Sequence, residues 1–150
     1  MFGSVTPDTG GMNSPNTKVF VVDDSQVVRE RLVNMLTEID GVSVVGQAEC
    51  PVGAIDGIVS TCPDVVVLDI HLHEGSGIDV MRGLRSRSGG IVFIVLTNFP
   101  GSQYRKAYLE AGANYFLDKL NEFKKVAEII SSLASTRGKE PGGSTAGNLS

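Results

Sequence analysis

Five short apolar runs, rich in β-branched residues, punctuate this chain: VFVV at 19–22, VSVV at 42–45, VVVL at 65–68, IVFIVL at 91–96 and YFL at 115–117. Each is of strand length, and the stretches between them carry apolar residues at steps of three and four, the period of a helix. Three runs are apolar throughout, as strands covered on both faces must be. Alternation of this kind specifies a βα repeat and a parallel sheet.

The helical stretches are equally readable. Val28, Leu32, Met35, Leu36 and Ile39 form one stripe, and Phe123, Val126, Ala127 and Ile130 form another. Pro51 opens a second helix carrying Val52, Ile55, Ile58 and Val59, while Ile78, Met81 and Leu84 mark a third. Segment 102–111 makes a fourth, with Gly112 at its stop and Asn121 as the N-cap of the fifth. Residues 1–17 and 136–150 are rich in Gly, Pro, Ser, Thr and Asn and are expected to be disordered tails around a domain at 18–135.

Composition narrows the class. No run approaches the roughly 18 apolar residues of a membrane span, and the N-terminus lacks the basic start and apolar stretch of a secretory signal, so a cytoplasmic protein without membrane contact is expected. A net charge of −4 with no Lys/Arg tract argues against direct nucleic-acid binding. The two cysteines, Cys50 and Cys62, form no CxxC or Cys/His cluster and read as reduced, part-buried thiols.

In open α/β sheets ligands bind at the carboxyl ends of the strands, so the residue after each strand matters. Asp23 and Asp24 follow the first run, Asp69 the third, Thr97 the fourth, and Lys119 follows the fifth after one intervening residue. Three clustered carboxylates favour a hard cation, typically magnesium, with manganese able to substitute. A phosphoryl group is the natural companion anion: one carboxylate attacks phosphorus, while the metal, Lys119 and Thr97 stabilise its oxygens.

With these residues in place, the chain resembles the receiver domain of two-component response regulators. The resemblance rests on VFVVDDSQVVRERL, PDVVVLDIHLHEGSGIDV, IVLTN and GANYFLDK and covers about residues 18–135. It implies a doubly wound five-stranded parallel sheet of order 2-1-3-4-5 with five helices, the flavodoxin-like receiver fold. It further implies Asp69 as phospho-acceptor, Asp23 and Asp24 as magnesium ligands, Thr97 and Lys119 on the phosphoryl oxygens, and Phe116 as an aromatic that reorients on activation. His71, at the rim of the acidic site, is expected to lend its backbone carbonyl to the metal. The chain departs from the family where Leu120 and His73 replace prolines, and where Asn98 stands in place of a small residue.

Such a domain is a phosphoacceptor rather than an enzyme, catalysing only its own phosphotransfer and dephosphorylation. Its implied partners are a sensor histidine kinase or phosphotransfer protein, and a target on the face built by the fourth helix, fifth strand and fifth helix. No further domain is read after the fifth helix, so the signal is expected to leave through that surface. Three alternatives compete. A haloacid-dehalogenase-like magnesium-dependent phosphatase requires Asp-x-Asp, whereas Asp23 and Asp24 are adjacent. A flavodoxin-like cofactor binder requires a phosphate loop that DDSQV does not supply. The third is a degenerate receiver that works without phosphorylation. His71, His73 and Glu74 make a poor transition-metal site, because an i,i+2 pair in a loop lacks a third fixed ligand.

Overall fold

The apolar runs become strands, most of them longer than the run that marks them. In the computed structural model, which describes residues 16–85, 89–98 and 102–138, β1 is Thr17–Val22, β2 Val42–Ala48, β3 Val65–Asp69, β4 Val92–Thr97 and β5 Tyr115–Asp118. The helices are α1 Gln26–Thr37, α2 Pro51–Thr61, α3 Gly77–Gly83, α4 Ser102–Glu110 and α5 Phe123–Gly138. All five strands pair in parallel in the order β2-β1-β3-β4-β5, the doubly wound arrangement expected. A two-residue antiparallel hairpin, His71–Leu72 with Gly75–Ser76, fills the loop after β3. Residues 1–15 and 139–150, which make up most of the two expected tails, lie outside the described residues.

Because strand side chains alternate between faces, the sheet carries two cores. Phe20, Val22, Val66, Leu68, Val95 and Phe116 face α2, α3 and α4, while Val19, Val21, Val67, Ile94, Leu96 and Leu117 face α1 and α5. Tyr115 is half-exposed and Phe116 buried, so of this pair the phenylalanine is the one that packs inward.

Three local expectations are corrected, at α2, Asn121 and Cys62. Pro51, Ala54 and Ile58 form the buried face of α2, and Val52 and Val59 are exposed. This helix has a single charged residue, Asp56, so polarity does not mark its outer side; the sheet beneath selects the face. Nor does Asn121 cap α5: that helix begins at Phe123, and the Asn121 amide donates to Asp118 Oδ2 at 2.8 Å. Gly112 does stop α4, with φ of +113° in the region that favours glycine. Cys50 is part-buried, whereas Cys62, with φ of +49° at the end of α2, is exposed.

Candidate phosphotransfer site

The end of β1 delivers Asp23 into the interior and Asp24 to its rim. Asp23 is only 1% exposed and each of its polar groups is held. Its N–H donates to the Ala48 carbonyl at 3.1 Å, its carbonyl accepts from Arg29 Nη1 at 2.7 Å, and Oδ1 accepts the Ser25 N–H at 2.9 Å. Ser25 is also the N-cap of α1, accepting from the Val28 N–H at 3.3 Å. Capping α1 therefore falls to Ser25, so neither carboxylate is spent on the first-turn amides of that helix.

Asp69 closes β3 beside Asp23. Lys119 Nζ stands 2.8 Å from Asp23 Oδ2 and 3.1 Å from Asp69 Oδ2, with the lysine side chain 10% exposed. Ligand oxygens of Asp23, Asp24 and Asp69 all lie within 4.8 Å of one another. Burial pushes the Asp69 carboxyl up to about 6; Asp23 adds to the rise and Lys119 opposes it. Burial also disfavours the Lys119 ammonium, but the hydrogen bond it donates to Asp23 and the charges of both carboxylates outweigh it. The lysine pKa therefore stands above its ordinary value.

Thr97 is fully buried as the last residue of β4, and the Lys119 N–H donates to its carbonyl at 2.7 Å, carrying the β4–β5 pairing one step further. A cleft of about 430 Å³ opens over the cluster, with Asp24, Asp69, His71, Asn98, Lys119 and Leu120 in its wall. The His71 ring is exposed and meets Tyr104 of α4 edge-on, centroids 6.1 Å apart. His73 and Glu74 project outward, 3.8 Å apart and largely exposed. Among the described residues, the three-carboxylate group is the cluster of side chains suited to a metal, and neither histidine belongs to it.

Both missing prolines have structural substitutes. After Lys119, Asp118 Oδ1 accepts the Leu120 N–H at 2.9 Å, and Asp118 N–H donates to Glu122 Oε1 at 2.8 Å. The Glu122 N–H returns to the Asp118 carbonyl at 2.8 Å. The Leu120 N–H first, and then the Asn121 side-chain amide, hold the Asp118 carboxyl below its usual range, and the Asp118 N–H does the same for Glu122. Leu120 itself points to solvent, 81% exposed. In the loop after β3, the His73 N–H donates to the Glu49 carbonyl at 2.9 Å, fixing the hairpin against the end of β2.

Asp23, Asp24, Asp69 and Lys119 thus meet at one sheet edge, where Thr97 also ends its strand. Arg29 was missed, although its place five residues after Asp24 on a helix returning along the sheet offered a signal. Nothing in the sequence marks the reciprocal bonds of Asp118 and Glu122.

A model of the response regulator receiver domain matches residues 19–131. The chain belongs to this family. The receiver is 32% identical over 120 residues to the DNA-binding transcriptional activator DevR/DosR of Mycobacterium tuberculosis, covering 80% of this chain and 55% of the relative. Response regulator MprA of Mycobacterium sp. (strain KMS) is 39% identical over 102 residues, 68% of this chain and 44% of the relative. The chain spans about half the length of these curated relatives. Among solved structures, the signal receiver domain of the response regulator NarL from M. tuberculosis superposes with a TM-score of 0.73 at 26% identity, covering 82% of this chain and 99% of that one. A LuxR-family two-component response regulator from Aurantimonas sp. SI85-9A1 gives 0.73 at 27% identity, covering 81% and 87%. The receiver is therefore a signalling domain, and the phosphatase and cofactor-binder alternatives fall away. No described helix is long and apolar enough to cross a membrane.

Proposed function

We propose that this receiver accepts a phosphoryl group on Asp69 from the phosphohistidine of a sensor kinase or phosphotransfer protein, and signals through phosphorylation-dependent protein contacts in the cytoplasm. The observation that carries this is the Asp69 carboxylate at a solvent-facing cleft, held 3.1 Å from Lys119 beside two further carboxylates. With its pKa near 6, Asp69 is mostly ionised at neutral pH and available as a nucleophile. One carboxylate oxygen forms the new O–P bond as the donor's bond to phosphorus breaks, and the leaving group takes the electron pair.

Lys119, already on Asp69 Oδ2, is placed to transfer its hydrogen bond to a phosphoryl oxygen, with the Thr97 hydroxyl on another. Three carboxylates face one ammonium here, leaving two negative charges, which suits a divalent oxygen-seeking cation. Asp23, Asp24, Asp69 and the His71 carbonyl would hold magnesium or manganese, which supplies charge neutralisation for the phosphoryl oxygens when bound. Phe116, already buried, is proposed as the aromatic that reports the site's state to the face formed by α4, β5 and α5, where Leu109 and Tyr115 are both 38% exposed. That face is the proposed contact for a target protein, without direct nucleic-acid binding.

Acetyl phosphate with magnesium should label the wild-type protein stoichiometrically and leave Asp69→Asn unlabelled. Metal-independent labelling, or undiminished labelling of the variant, overturns the assignment.

A further inference from the structure

Among the described side chains of α4, Tyr108 alone is buried, and Tyr104 is partly covered. The Tyr108 ring lies 6.1 Å from that of Phe116, tilted by 47°. Its hydroxyl reaches across to the chain that leaves Asp69. The Ile78 N–H donates to Tyr108 Oη at 2.9 Å, and the hydroxyl donates to the Ile70 carbonyl over a long 3.5 Å. Gly77 N–H donates to the same carbonyl at 2.8 Å. The packing here admits only glycine at 77, because a Cβ would run into the Asp69 carbonyl oxygen and crowd the Tyr108 hydroxyl.

Ile78 is the second residue of α3, and its N–H is one of the first-turn amides that a helix cannot satisfy internally. Tyr108 thus supplies from another helix, 30 residues away in sequence, the acceptor that a cap residue ordinarily provides. Burial pushes the phenol up to about 12, so it keeps its proton at neutral pH and can donate and accept together.

We propose that Tyr108 couples the acceptor loop to α4: its hydroxyl pins residues 70–78 beside Asp69 while its ring backs Phe116, so that the two move as one body. This rests on Asp69 being the phospho-acceptor. A phenylalanine at 108 fills the same space but leaves the Ile78 amide without its partner and frees the loop that carries the His71 carbonyl.

The test is Tyr108→Phe in the intact protein, followed by hydrogen exchange and acetyl phosphate labelling. Without phosphodonor, amides of 70–78 and 102–110 should exchange about tenfold faster, with α5 unchanged, as expected for losing one internal hydrogen bond. With magnesium and acetyl phosphate, the variant should reach wild-type labelling while losing the change in α4 protection that labelling produces in the wild type. Unchanged exchange at 70–78, or a wild-type-sized α4 response, overturns the proposal. Equal acceleration in α5 also overturns it, reducing Tyr108 to a packing residue. Should the wild type itself fail to label, the acceptor assignment falls, and the exchange measurement still decides whether the hydroxyl pins the loop.

Discussion

The two helices that flank β5 are attached by different chemistry. α5 buries Phe123, Val126 and Ile130 against the sheet, with Ile129 and Leu133 partly covered beside them, and Arg31 lies 4.3 Å from the Phe123 ring centroid. α4 is shorter, and among its described side chains it buries only Tyr108, whose phenol donates to the Ile70 carbonyl, while Arg105 Nη1 donates to the Phe116 carbonyl at 3.5 Å. The strand between them divides accordingly, Phe116 facing α4 and Leu117 facing α5. A helix seated by close-packed apolar side chains has one good position, because moving it opens voids. One seated by a single buried side chain and a few polar contacts near the site can shift when those contacts change, and elements that move in signalling come from this weakly held class.

The sharpest challenge to that contrast is a pair of truncations. Ile130→Ala, on the buried face of α5, should lower the unfolding free energy by about 3–4 kcal/mol in urea titrations. Leu109→Ala on α4 should change it by no more than about 0.5 kcal/mol. Similar losses would mean that α4 is seated as firmly as α5.

Next in size is the charge at the strand ends that both helices approach. In chelator, Asp69→Asn should raise global stability by about 1–2 kcal/mol, since a buried ionised carboxylate beside Asp23 is removed. The sign follows from titration. Asp69 takes its proton at about pH 6 in the folded chain against 3.8 for an ordinary aspartate, so its destabilisation is absent below 3.8 and complete above about 6. The advantage of the variant should therefore widen from about pH 4 to about pH 7. It should appear as slower exchange in α5, which reports global unfolding. Slowing confined to α4 would show that the charge acts locally and not on the whole fold.

The smallest expected effect concerns the turn into α5. Asp118→Ala removes the acceptor of the Leu120 N–H and should speed exchange of that amide about tenfold while leaving α4 unchanged. Asp118→Asn keeps a side-chain oxygen and should recover most of the protection. Because the Asp118 and Glu122 carboxyls titrate below their usual values, their support is present at neutral pH and disappears as pH falls through those lowered values. Accelerated exchange throughout α4 in Asp118→Ala would tie the two helices together after all.

Much of this molecule is legible in its sequence. The five apolar runs and the helical stripes name the elements, and the position of Asp23, Asp24, Asp69, Thr97 and Lys119 just at or after strand ends places them on one edge. Both signals are local, set by the period of the backbone and by where a strand stops. Tertiary packing decided the rest. It chose the Pro51, Ala54 and Ile58 face of α2, where a nearly uncharged helix marked no outer side. It released Asn121 from the capping role and used its amide on Asp118. It shared the Lys119 ammonium between Asp23 and Asp69 and raised the Asp69 pKa by burying it. It also aimed the Tyr108 hydroxyl at Ile78, a bond that no spacing announces. A residue's period tells which way it faces along its own element, but its partner there, and how much water is excluded between them, depends on segments distant in sequence.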